Sequence, residues 1–104
     1  MELQTIIERQ REINNKLYNT KKLTLGERQE WTQALVISII DSLSRILAQI
    51  NWKIWEKKVE VNALKIRLEL IELFSLVLSL MDIWGMGEEE IYQLYLAKKG
   101  KNEK

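Results

Sequence analysis

Cysteine and histidine are both missing from this chain of 104 residues, and so is proline. Without cysteine there are no disulfides, no thiolate zinc sites and no sulfur nucleophiles. Without histidine there are no Ser-His-Asp triads, no imidazole-ligated metals and no imidazole acid or base. Chemistry is left to carboxylates, lysine, arginine, tyrosine and hydroxyls. Charge of one sign is also lacking: 16 Lys and Arg stand against 15 Asp and Glu, so the global balance favours neither a nucleic acid polymer nor an acidic membrane surface as partner. The longest uncharged stretches, Trp31 to Ile40 and Leu73 to Met81, are about half of the roughly 20 residues that span a bilayer. The opening Met1-Glu2-Leu3-Gln4 lacks the basic and apolar regions of a secretory signal. A soluble, cytoplasmic protein without a membrane partner is the expectation.

Glycine is confined to Gly26, Gly85, Gly87 and Gly100, and the apolar residues recur at helical rather than alternating spacing. The pattern predicts an all-α fold in one domain over residues 1–104, with helices at about 2–19, 26–50, 61–84 and 88–98 and a basic tail over 99–104. In the first helix Leu3, Ile6, Ile13 and Leu17 form a stripe with Gln10 as its polar gap, leaving Glu8, Arg9, Arg11, Glu12 and Lys16 facing outward. Thr24 and Glu27 read as a capping box that opens the second helix. The acidic run Glu88-Glu89-Glu90 suits the positive end of a fourth helix dipole, with Ile91, Leu94 and Tyr95 as the face to be buried. The tail Lys98-Lys99-Gly100-Lys101 reads as a solvated helix end.

The third helix is apolar almost all round, which suits the centre of a bundle. Yet Lys65, Glu69, Glu72 and Ser79 run along one side of it, with Ser75 beside them. Carboxylates so placed need a partner, water or a proton. The second helix carries a matching polar line of Ser38, Ser42, Arg45 and Gln49, with Asp41 on its shoulder and Val36, Ile39, Leu43, Ile46 and Ile50 as its apolar stripe. Antiparallel packing would face the two polar lines and make Arg45 the counter-charge of Glu69 or Glu72. Such a pair serves equally as a structural salt bridge or as part of a site.

Taken in order, Ile39-Ile40-Asp41, then Ile50-Asn51-Trp52-Lys53-Ile54-Trp55, then Glu69-Leu70-Ile71-Glu72, then Leu78-Ser79-Leu80 and finally the segment from Glu90 to Lys99 resemble the all-α nucleoside triphosphate pyrophosphatases, the MazG-like proteins and especially the dimeric dUTPases. That resemblance implies a four-helix bundle completed by oligomerisation, as a homodimer or homotetramer. In the family an E-x-x-E on helix two and an E-x-x-D on helix three hold magnesium, whose paired ions stabilise attacking and leaving oxygens. Here Glu69 and Glu72 match the second motif, with Glu in place of Asp, while the first falls on Ser42-x-x-Arg45. Where the family commonly has His-Phe, this chain has Ser75-Leu76. Its phosphate motif is hinted at only by Lys98, Lys101 and Asn102.

Three functions are therefore set against each other. One is a scaffold depleted of its metal site, natural or engineered, with a repurposed pocket for a small molecule lined by Ser38, Ser42, Gln49, Trp52, Lys53 and Ser75, and with Glu72 or Glu69 as metal-free base beside Arg45. No cofactor is expected in that case. The second is a working Mg²⁺-dependent pyrophosphatase with Asp41, Glu69 and Glu72 as ligands. The third is a structural or interaction bundle in which Trp31, Trp52, Trp55 and Trp84 are packing anchors, although the resemblance places Trp52 and Trp55 near a nucleotide base.

Overall fold

The computed structural model describes residues 2–18, 22–58 and 60–102. Four helices follow one another: α1 Leu3–Asn14, α2 Leu25–Ala48, α3 Ala63–Ile83 and α4 Glu88–Asn102, with no strand among the described residues. The all-helical architecture expected from the apolar spacing is the one observed.

The helix ends follow from local chemistry. Thr24 accepts from the Glu27 N–H at 3.1 Å while the Glu27 carboxylate accepts from the Thr24 N–H at 3.2 Å, so both free donors at the start of α2 are satisfied. Asn62 caps α3 in the simpler way, taking the Lys65 N–H at 3.1 Å. α3 ends in a Schellman turn: the Met86 N–H reaches the Met81 carbonyl and the Gly85 N–H the Asp82 carbonyl, both at 3.0 Å. That turn requires a left-handed residue, and Gly85 supplies it at φ 71°. α4 runs through Asn102, so the stretch expected as a basic tail from 99 is helical as far as 102. α1 stops at Asn14, with turn over residues 15–17. Residue 19, the expected end of the first helix, and residues 103 and 104 of the tail lie outside the described residues.

α2 and α3 pack as an antiparallel hairpin. Arg45 pairs with Glu69 near one end, and near the other the Trp84 indole N–H donates to Thr32 Oγ1 at 2.8 Å, while the Arg28 guanidinium donates to the Ile83 carbonyl. α2 turns Leu35, Ile39, Ser42 and Ile46 toward α3, half-buried except for Ser42, which is fully buried. The buried apolar core among the described residues is small: Leu78 and Ile83, near the C-terminal end of α3, and Ile7 of α1, which packs on α3.

Two expected faces are rotated. In α1 the residues turned to α3 are Ile7, Gln10, Arg11 and Asn14, whereas Leu3, Ile6, Ile13 and Leu17 are exposed, Leu17 at 69%. The first helix is thus docked by polar contacts, and its most apolar stripe points outward. In α4 Ile91 is half-buried but Leu94 and Tyr95 stand in water.

Candidate functional site

Arg45 is the centre of the predicted site. Its Nε–H lies 3.1 Å from both Glu69 carboxylate oxygens, and its Nη1 donates to Asp41 one helical turn earlier on the same face of α2. The guanidinium thereby joins α2 to α3 and is shared by two acids, leaving the trio with one net negative charge. The hydrogen bond to Glu69 raises the Arg45 pKa, desolvation opposes the shift, and the negative charges of Asp41 and Glu69 add to it. Arg45 is a permanent cation here. Both partners remain reachable by solvent, Glu69 less than Asp41.

Glu72, the other half of the motif, is exposed and pairs with no cation among the described residues. Of the two partners that spacing left open for Arg45, the structure selects Glu69. Lys65 is exposed and borders a cleft shared with Gln49, away from Arg45. The predicted pocket residues do not converge on one cavity. Trp52 and Lys53 line an open cleft of about 380 Å³ with Leu47, Ile50, Asn51 and Lys57. Gln49 borders a separate one of about 510 Å³ with Glu60 and Asn62. Ser38 is exposed and returns its hydroxyl to the Ala34 carbonyl at 3.0 Å. Ser75 is half-buried. In the first cleft the Lys53 ammonium lies 5.2 Å from the Trp52 ring centre, and Trp55 meets Trp52 edge to face at 6.1 Å.

Ser42 is different. It is fully buried, and its hydroxyl has no hydrogen-bond partner among the described residues. A native interior rarely leaves such a group unpaired. It lies one helical turn before Arg45, at the position that the family resemblance gives to the first metal ligand.

A second polar cluster was missed in the sequence. At the far end of the same side of α3, Asp82 is 8% exposed; its Oδ1 accepts from Arg11 Nε at 3.2 Å and its Oδ2 from Asn14 Nδ2 at 3.3 Å. Gln10 Nε2 donates to Asn14 Oδ1 at 3.0 Å and to Ser79 Oγ at 3.2 Å. Ser79 Oγ in turn lies 3.2 Å from Asn14 Oδ1 and 3.0 Å from the Ser75 carbonyl. Arg11, expected to face outward, is therefore the counter-charge of Asp82. The available signal was Gln10 and Asn14 at i and i+4, together with an acid in the last turn of an apolar helix. Glu69, Glu72, Ser75, Ser79 and Asp82 follow one another at spacings of three and four, so a polar line runs the length of α3 from Arg45 to α1.

Tyr18 sits beside this cluster, its ring 4.7 Å from Trp31. Its hydroxyl is buried without a partner among the described residues, and burial first, then the negative charge of Asp82, pushes its pKa up to about 12. The folded state then holds the tyrosine proton where the unfolded state releases it. Stability contributed by neutral Tyr18 is complete below pH 10 and declines as pH rises from 10 toward 12. We expect Tyr18→Phe to remove that alkaline decline and to leave stability at pH 7 equal or slightly higher, since no hydrogen bond is lost. Urea unfolding of both proteins between pH 8 and pH 11.5 tests this; an unchanged alkaline slope in the variant contradicts it.

Comparison with known proteins finds no matching family model, no matching curated protein and no matching solved structure.

Proposed function

We propose that this chain is a metal-site-depleted derivative of the all-α nucleoside triphosphate pyrophosphatase scaffold that binds a small molecule along its polar α2–α3 face without hydrolysing a triphosphate. The observation that carries this reading is the Arg45 guanidinium held between Asp41 and Glu69. Two of the three acids that a magnesium site would need are already engaged by one fixed organic cation. A divalent ion at that place would have to displace or stand beside a like charge. Among the described residues, no three acidic side chains converge as a metal site requires. The residues present do not fit Mg²⁺, and no hydrolytic step is assigned to them.

A metal-free base is supported less well than binding. A carboxylate gains basicity from partial burial in an apolar cleft. Glu72 stands in water and Glu69 is engaged by Arg45, so neither has that setting. The α2–α3 face offers a ligand the exposed edge of the Arg45 guanidinium and the neighbouring Asp41 and Glu72 carboxylates, a set suited to orienting a polar molecule. We expect no pyrophosphate release from dUTP or dCTP with or without Mg²⁺, while dUMP or dUTP raises the melting temperature in the absence of metal. Magnesium-dependent turnover that disappears in Glu69→Ala would restore the hydrolase reading and overturn this one. A melting temperature unmoved by either nucleotide removes nucleotides as the small molecule.

A further inference from the structure

The connection between α2 and α3 breaks a local rule. The Glu56 N–H reaches the Lys53 carbonyl at 3.1 Å, so residues 53–56 form a tight turn, whose two central positions are usually held by glycine, proline, asparagine, aspartate or serine. Here they are Ile54 and Trp55. Ile54 is 90% exposed and Trp55 72%, more than any other large apolar side chain among the described residues. Two such side chains at the tip of a turn gain nothing within the chain, because only burial makes them stabilising. An exposed apolar patch of this kind marks a contact with another body.

The surroundings of the tip indicate which body. Ile50 and Trp52, just before the turn, are exposed as well. Lys53 is engaged by Glu56 at 3.5 Å, whereas Lys57 and Lys58 are exposed and pair with no acid among the described residues. From Asn51 to Lys58 three lysines stand against one glutamate, an excess that the balanced charge of the whole chain hides. Tryptophan with an aliphatic neighbour settles where hydrocarbon meets headgroups, and lysines beside it are drawn to anionic headgroups.

We propose that this tip is a peripheral membrane anchor: Ile54 and Trp55 insert into the interface of an anionic bilayer while Lys57 and Lys58 contact its headgroups. Trp52 and Lys53 line the open cleft next to the turn, and Ile54 and Trp55 do not. The anchor is therefore separate from that cleft. An apolar pocket on another protein would accept Ile54 and Trp55 but gives the two unpaired lysines no counter-charge, which an anionic surface supplies together with an apolar layer. Crossing the bilayer is a different matter. α2 is long and apolar enough to do so, with a mean hydropathy of 1.2, yet that would carry Asp41 and the Arg45 bonded to it and to Glu69 into hydrocarbon. Insertion of the tip alone leaves them in water.

Sedimentation of the intact protein with lipid vesicles tests the anchor. In 0.1 M NaCl, partitioning onto phosphatidylcholine vesicles with 30% phosphatidylserine should exceed that onto phosphatidylcholine alone by about tenfold or more, and 0.5 M NaCl should release the protein. Ile54→Ser/Trp55→Ser should weaken binding by about tenfold or more with an unchanged melting temperature. Lys57→Gln/Lys58→Gln should weaken it by about twentyfold, since each lysine near such a surface counts for about fivefold. Leu94→Ser, at an exposed position on α4, should bind as the parent does. If the tip variant does not fold, the wild type decides: brominated phosphatidylcholine mixed into the anionic vesicles should quench part of its tryptophan emission. The proposal is overturned by no sedimentation with either vesicle, as a protein partner for the tip would give, and equally by the absence of quenching. Binding equal for both compositions, binding that survives the tip substitutions, or binding that resists 0.5 M NaCl, as a spanning α2 would, overturns it too. None of these readouts depends on a small-molecule ligand or on triphosphate turnover.

Discussion

Asp82→Ala is expected to lower the unfolding free energy by about 2–4 kcal/mol, a large part of what a domain of this size possesses. Asp82 is nearly inaccessible to water and accepts from both Arg11 and Asn14. Removing its carboxylate leaves the buried Asn14 amide, 3% exposed, with one fewer acceptor, and such an unsatisfied group costs about 1–3 kcal/mol. α1 has little else to hold it, because its apolar stripe faces away from α3. The loss should therefore appear as detachment of α1 as well as a lower urea midpoint. Arg11→Ala, whose side chain is 41% exposed, should cost less than about 1 kcal/mol. Urea unfolding followed by circular dichroism measures both. Equal effects from the two substitutions would show that Asp82 acts only as the partner of Arg11 and not as the anchor of the cluster.

The second large effect concerns metal. Replacing Ser42 and Arg45 together by glutamate removes the internal cation and sets two new carboxylates opposite Glu69 and Glu72, with the spacing that the resembled family uses for magnesium. Without a divalent ion the double variant should be less stable than the parent, since Ser42 is fully buried and a carboxylate there has no counter-charge. With Mg²⁺ at a hundred times its dissociation constant, binding should return about 2.7 kcal/mol. The parent should not respond to Mg²⁺ at all. Thermal unfolding with 0 and 10 mM MgCl₂, repeated with CaCl₂, reads the difference. A parent stabilised as much as the double variant would mean that the guanidinium does not stand in for the ion, and the depleted-site reading would fall.

Arg45 and Glu69 illustrate how far spacing alone can carry a site. Two polar lines at helical intervals on neighbouring helices are enough to pair them across the hairpin, and Arg45 meets Glu69 as the antiparallel register demands. The same reasoning failed for Glu72, which spacing placed inward and which lies in water. A helix that is apolar all round offers no reference for where its polar side points. The Asp82 cluster was illegible for another reason. Its partners Arg11 and Asn14 come from a helix about seventy residues earlier in the chain, and no local pattern encodes that meeting.

The sequence by itself determined the four helices, the start of α2 and the end of α3, because a cap such as Thr24 with Glu27 and the left-handed turn at Gly85 act within a few residues, whereas the ends of α1 and α4, which carry no such signal, fell elsewhere than expected. It also determined the chemistry left to the protein, since no histidine or cysteine is present to do otherwise. Only the tertiary structure decided which face each helix buries. Periodicity finds the most apolar stripe and assumes that the stripe packs within the chain. In α1 it does not, and in α2 only in part: polar contacts hold α1 to α3, while of the α2 stripe Ile39 and Ile46 are half-buried against α3 and Val36, Leu43 and Ile50 stay exposed.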